Sequence, residues 1–301
     1  MQQASPTIRN AALTALLENL VDYAGLFPPA KLDMQPAVEN YSRYAEGQLG
    51  WMLGKFIAPA ARLTELESSA RSIESPGVWN VSALLAGDIA TDIKQVTAFN
   101  VRNRGRLTVT SVELKASAPA DIQRAHSLMV PDLQVFFEIP LSADIESCLD
   151  ALARCKRKAK IRTGGETPEM IPAAGSVAGF IGLCADKGVP FKATAGLHHP
   201  LCSLHRLTYA PDSPSATMHG FLNVFLAAVL LAEKRIDVTE ASELLNEPCA
   251  NSFGFADDGV IWRSHRATTE NIRLARKSFA LSFGSCSFSE PVEDLQALSL
   301  L

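Results

Sequence analysis

Two short runs decide the reading of this chain: Lys158-Ala159-Lys160-Ile161-Arg162-Thr163-Gly164-Gly165, and after it Pro190-Phe191-Lys192-Ala193-Thr194-Ala195-Gly196. Each alternates in polarity and ends in glycine. The stretch between them has helical periodicity, with Thr167-Pro168 as a start signal and Gly188 then Pro190 as a stop. Together they predict one strand–helix–strand unit. Successive side chains on a strand point to opposite faces. Ala159 and Ile161 therefore share an apolar face, and Lys158, Lys160 and Arg162 share a charged one.

Working outward, further strands are predicted at Leu20–Phe27, Gly54–Pro59, Trp79–Ala86, Leu107–Lys115, Leu133–Ile139 and, as the weakest, Phe253–Trp262. The last is weak because Ser203–Pro214 before it is a long polar loop, and Asp257-Asp258-Gly259 reads as a hairpin turn within it. Helical patterns fall between the strands, as in Ile145, Cys148, Leu149 and Leu152. Alternation repeated this often predicts a parallel sheet, closed as a barrel or left open and doubly wound. The barrel is preferred: a single (β/α)8 domain over residues 1–301, with a C-terminal helical segment packing on it.

With 47% hydrophobic and 20% charged residues, the chain can fill a large core. A net charge of −4 argues against nucleic acid as a partner, since binding phosphates needs a clustered basic excess. Lys156-Arg157-Lys158 reads as a solvated helix end. No membrane span is expected: Phe221–Ala232 is too short and contains Asn223, and Glu18 and Asp22 interrupt the early apolar stretch. Six cysteines without paired spacing suggest reduced thiols and a cytoplasmic setting. The sequence leaves a homo-oligomer open.

In each central strand the apolar set suits packing under helices, so the charged set must face the barrel interior. Val109, Ser111, Glu113 and Lys115 share one face of the fourth strand; Gln134, Phe136 and Glu138 share one face of the fifth. In the seventh, Lys192, Thr194, Gly196 and His198 fall together. Lys115, Lys160, Arg162 and Lys192 then face only Glu113 and Glu138, an excess that favours a small anionic ligand. Gly164 and Gly165, opening toward a helix, suit an oxyanion held by backbone N–H groups. Asp88, after the third strand, is a site carboxylate or a helix cap. Gly25–Lys31 is a loop that could cover the mouth, and Phe283–Phe288 reads as a packed terminal segment. His198, His199, Cys202 and His205 cluster after the seventh strand. They have no familiar zinc spacing, but they keep a divalent metal open as the alternative to a cofactor-free site.

The runs Lys160–Gly165 and Phe191–Gly196 resemble the paired lysine strands of the deoxyribose-phosphate aldolase family. That resemblance implies a (β/α)8 barrel and a Schiff-base lysine on the sixth strand beside a second lysine on the seventh. Lys192 matches the second lysine. Arg162, which cannot form an imine, stands in the nucleophile's place, and Lys160 lies one inward-facing position below. The expectation is a lyase or aldolase-like enzyme for a small phosphorylated or carboxylated carbonyl or sugar-like substrate. Lys192 or Lys160 would be the amine, Glu138 or His198 would move protons, and Arg162, Gly164, Gly165, Glu113, Lys115, His199 and Asp88 would contact substrate. A metal-dependent hydrolase or isomerase and a non-catalytic ligand-binding barrel are the alternatives.

Overall fold

Eight parallel strands close into a barrel in the computed structural model, which describes residues 10–73 and 77–301. The strands in chain order are β1 (Val21–Tyr23), β2 (Leu53–Pro59), β3 (Trp79–Leu84), β4 (Leu107–Lys115), β5 (Gln134–Glu138), β6 (Lys158–Arg162), β7 (Phe191–Thr194), β8 (Ser203–Arg206), β9 (Ser215–Met218), β10 (Phe253–Ala256), β11 (Gly259–Trp262), β12 (His265–Thr268) and β13 (Ala280–Ser285). The helices are α1 (Ala11–Leu17), α2 (Met34–Glu46), α3 (Leu63–Ala70), α4 (Ile89–Arg102), α5 (Pro119–His126), α6 (Ile145–Cys155), α7 (Ala174–Asp186), α8 (Phe221–Ala232), α9 (Val238–Leu245), α10 (Thr269–Ser278) and α11 (Ser289–Ala297).

The first seven strands follow one another round the barrel, and β13 closes it between β7 and β1. The eighth strand is therefore not Phe253–Trp262, as the sequence suggested. That stretch folds back at Asp257-Asp258, and β10, β11 and β12 form a separate antiparallel sheet. The segment read as packed terminus, around Phe283 to Ser285, is the closing strand. Between β7 and β13 the chain inserts the β8–β9 hairpin, α8, α9 and the three-stranded sheet where a simple barrel has one helix.

The outward strand faces fit under the helices as their apolar pattern requires. Ala83, Val112, Val135, Phe137, Ala159, Ile161, Phe191, Ala193 and Phe283 are all buried. Fully burying one such Phe or Ile contributes roughly 1.5–3 kcal/mol. The local signals agree: Asp144 caps α6 by accepting from Ser147 N, and Lys156 ends it in a left-handed conformation. Helix α8 is apolar all round because it is buried all round. Its one polar side chain, Asn223, accepts from Cys202 N and donates to Leu244 O and Glu247 O. Pro168–Asp186 is the one described stretch with the length and hydropathy of a membrane span; its helical part, α7, packs on α8 and α9.

Barrel closure has a polar clamp. Arg276 on α10 is buried and donates to Leu16 O (2.9 Å), Glu18 O (3.0 Å), Ala280 O and Leu281 O, with its guanidinium 5.1 Å from the Phe225 ring. It thus joins the segment before β1 to the start of β13. Replacing it with methionine keeps the stem but strips donors from buried carbonyls. Arg276→Met is expected to cost roughly 3 kcal/mol or more in urea unfolding, and a loss below about 1 kcal/mol would show that the clamp is dispensable.

Candidate active site

The inward set anticipated for β4 to β7 does face the barrel axis, and it meets as one chain of charges. Lys192 Nζ lies 2.6 Å from Asp22 Oδ2 and 2.7 Å from Glu113 Oε1. Glu113 Oε2 is 2.8 Å from Lys160 Nζ, which is also 2.9 Å from Glu138 Oε2. Glu138 Oε1 then accepts from Arg162 Nε at 3.2 Å. Hydroxyls complete the shell: Ser282 donates to Asp22, and Ser82 donates to Glu113. Alternation slips at Thr110, where β3 and β4 shift register, so the inward parity of β4 begins at Ser111.

Burial works against every charge here, and the partners outweigh it. Desolvation acts to raise Glu113, but the Lys160 and Lys192 ammoniums hold its carboxyl far below the usual range. Glu138 is held low in the same way by Lys160 and then Arg162. For Lys192 burial acts downward, yet Asp22 and Glu113 keep it above an ordinary lysine. Such a network adds little net stability over apolar packing, but it is expensive to break.

Above the network the barrel opens into a cavity of about 320 Å³ at the carboxyl ends of the strands. Glu113, Glu138 and Lys160 form its floor, Arg162 and Lys115 one wall, and Phe27, Pro28 and Pro29 of the first loop lie over it. Gly165, Thr194 and His198 also reach it. Lys192 is 1% exposed and is not among the lining residues. Asp88 stands apart, as the cap of α4 that accepts from Thr91 N. The helix start expected after Gly164-Gly165 is displaced: Pro168–Met170 is a single 3-10 turn and α7 begins only at Ala174. Gly164 serves packing, because a Cβ there would sit 2.7 Å from Gly196 Cα, and Gly196 holds φ +76°.

The histidines are ordered by carboxylates from α11. His198 Nδ1 is 2.9 Å from Glu290 Oε2, and His199 Nδ1 is 2.5 Å from Asp294 Oδ2. His205 stacks on His199, and its Nε2 meets Ser203 Oγ at 2.7 Å. Burial acts to raise Glu290, while the His198 bond brings it below its ordinary value. No group of three or more His, Cys, Asp or Glu converges among the described residues, so His198, His199, Cys202 and His205 do not form a metal cage. His198 borders the cavity with one ring nitrogen fixed by a carboxylate, which is how an acid–base imidazole is oriented.

Sequence reasoning missed Asp22, Lys55, Ser82, Ser282 and Glu290. A carboxylate within the apolar first strand was the available signal for Asp22. Glu290 had none, since its role depends on where α11 docks. The fold and site define a class: a (β/α)8 barrel with a charged pocket at the carboxyl-end mouth. Compared with known proteins, the chain matches no family model and no curated sequence.

Two outcomes follow. A carboxylate with a depressed folded pKa contributes stability that is present above its unfolded value, about 4.5, and is lost as pH falls through the folded one. Glu113→Gln should therefore cost roughly 3–5 kcal/mol at neutral pH and flatten the acid-side loss of stability in denaturant titrations. Gly196→Ala meets both the positive φ and the Gly164 backbone, and is expected to cost about 1–3 kcal/mol in the same assay.

Proposed function

We propose that the protein is an imine-forming carbon–carbon lyase, or a related carbonyl enzyme, for a small substrate bearing a carboxylate or phosphate. The observation that carries this is Lys160, an amine on the cavity floor held between Glu113 and Glu138, one inward position below Arg162. Arg162 spends its Nε on Glu138 and is 43% exposed, so its two terminal amino groups suit a ligand oxyanion.

The chemistry follows from these neighbours. Glu138, a carboxylate at neutral pH, takes a proton from Lys160. The free Nζ attacks the substrate carbonyl carbon, and the carbonyl oxygen leaves as water, carrying that proton and a second from nitrogen. The protonated imine bears the same single positive charge as the ammonium, so the pairs to Glu113 and Glu138 stay balanced. Glu138, again ionised, accepts the β-hydroxyl proton as the carbon–carbon bond breaks and its electrons pass into the enamine. His198, steered by Glu290, returns a proton to the enamine carbon. Water then hydrolyses the protonated imine to release the carbonyl product and the Lys160 ammonium, and the proton held by Glu138 returns to His198 through solvent. Lys192, enclosed and strongly protonated, is a positioning residue that fixes Glu113. Six free thiols support a reducing, cytoplasmic setting for this activity.

Borohydride added with pyruvate, glyoxylate or glyceraldehyde 3-phosphate should trap an adduct on Lys160, located by peptide mass spectrometry and absent from Lys160→Met. Arg162→Ala should raise the half-saturating substrate concentration about tenfold or more. An adduct on Lys192 would overturn the assignment of Lys160 as the amine, and no adduct at either lysine with any of these carbonyls would overturn the imine reading in favour of a non-covalent binding barrel.

A further inference from the structure

The opposite end of the barrel is also hollow. Barrel interiors are ordinarily filled by layers of branched apolar side chains. Here the lower interior carries Lys55, Ser111, Gln134, Lys158 and Ser282, with Phe136 the aromatic among them. A cavity of about 530 Å³ opens at the amino ends of the strands, larger than the one at the mouth. Asp22, Lys55, Gln134, Phe136 and Lys158 line it.

The charges at this end do not balance. Asp22 is committed, accepting from Lys192, Ser282 and the Lys55 backbone N–H. Lys55 Nζ reaches only neutral acceptors, Ser111 Oγ at 2.9 Å and Gln134 Oε1 at 3.4 Å. Lys158 Nζ makes no hydrogen bond or ion pair among the described residues and lies 5.4 Å from the Phe136 ring centroid. Lys55 and Lys192 approach the same ring at 5.8 and 5.4 Å. Burial pushes Lys55 down to about 8 even against the pull of Asp22, and it lowers Lys158 as well. Two ammoniums thus face one recess whose one lining carboxylate, Asp22, is already paired with Lys192, and an anion entering between them would relieve both.

We propose that this cavity is a second ligand site, distinct from the mouth, for a small oxyanion (a phosphate group or a polycarboxylate) held by Lys55 and Lys158. Gln134 spends its oxygen on Lys55, which leaves its amide N–H groups to orient the ligand. The mouth sets Glu113, Glu138 and Glu166 against Lys115, Lys160 and Arg162, whereas this end sets Asp22 alone against Lys55, Lys158 and Lys277.

The test uses inorganic phosphate and citrate as probes in calorimetric titrations of the whole protein. Saturable binding of either anion is expected, weakened about tenfold or more in Lys158→Met and within about twofold of wild type in Arg162→Ala. A bound anion should also raise the Lys55 pKa, so phosphate or citrate should slow acetylation of Lys55 near pH 8, read by mass spectrometry, without protecting Lys160. Thermal melting checks that Lys158→Met folds; should it not, the Lys55 protection in wild type decides. Binding lost in Arg162→Ala but intact in Lys158→Met would overturn the proposal, as would no binding at millimolar anion or unprotected Lys55. Because these readouts need no imine, failure of the borohydride experiment leaves this proposal standing, and its own failure leaves Lys160 untouched.

Discussion

Glu113 is the constraint on which the interior depends. One carboxylate spans two lysines on adjacent strands, with Lys192 on one oxygen and Lys160 on the other. No charge in that enclosed space is tolerable alone, because desolvation of a single ion outweighs what a lone hydrogen bond returns. The strands must therefore keep a register that brings the inward side chains of β4, β6 and β7 to one level. Apolar faces decide that a barrel forms; the Glu113 bridge decides how its inner side chains are arrayed.

That bridge also divides labour between the lysines. Both share the inward parity of their strands, and β6 and β7 pair them level with one another. Lys192 has Asp22 as its second partner and is sealed below. Lys160 has Glu138, at the cavity floor, and so remains open to the mouth. Chemically identical groups thus acquire different surroundings from one neighbour each.

Much of this was legible in the chain. Strand alternation identified the barrel and the facing of Glu113, Glu138, Lys160, Arg162 and Lys192, because parity is a local property that a few residues reveal. What escaped was set by distance along the chain. The closing strand β13 carries glycine and serine at its end and is separated from β7 by an inserted sheet, so Phe253–Trp262 reads as the better strand despite its hairpin turn. Asp88 was ambiguous between cap and site because the two roles favour the same residue after a strand. The pairing of His198 with Glu290 depends on the docking of α11, and no spacing rule encodes that.

The closure between β1 and β13 has a consequence for how the protein comes into being. Asp22 lies on the first barrel strand to be made, while Ser282, its hydroxyl donor, comes 260 residues later on β13, and Glu290, the partner of His198, follows on α11. During synthesis Asp22 must wait for its hydroxyl donor until β13 has been made, and His198 for its carboxylate until α11 has. A chain cut short before β13 would leave the barrel open between β7 and β1 and the shell around Asp22 incomplete.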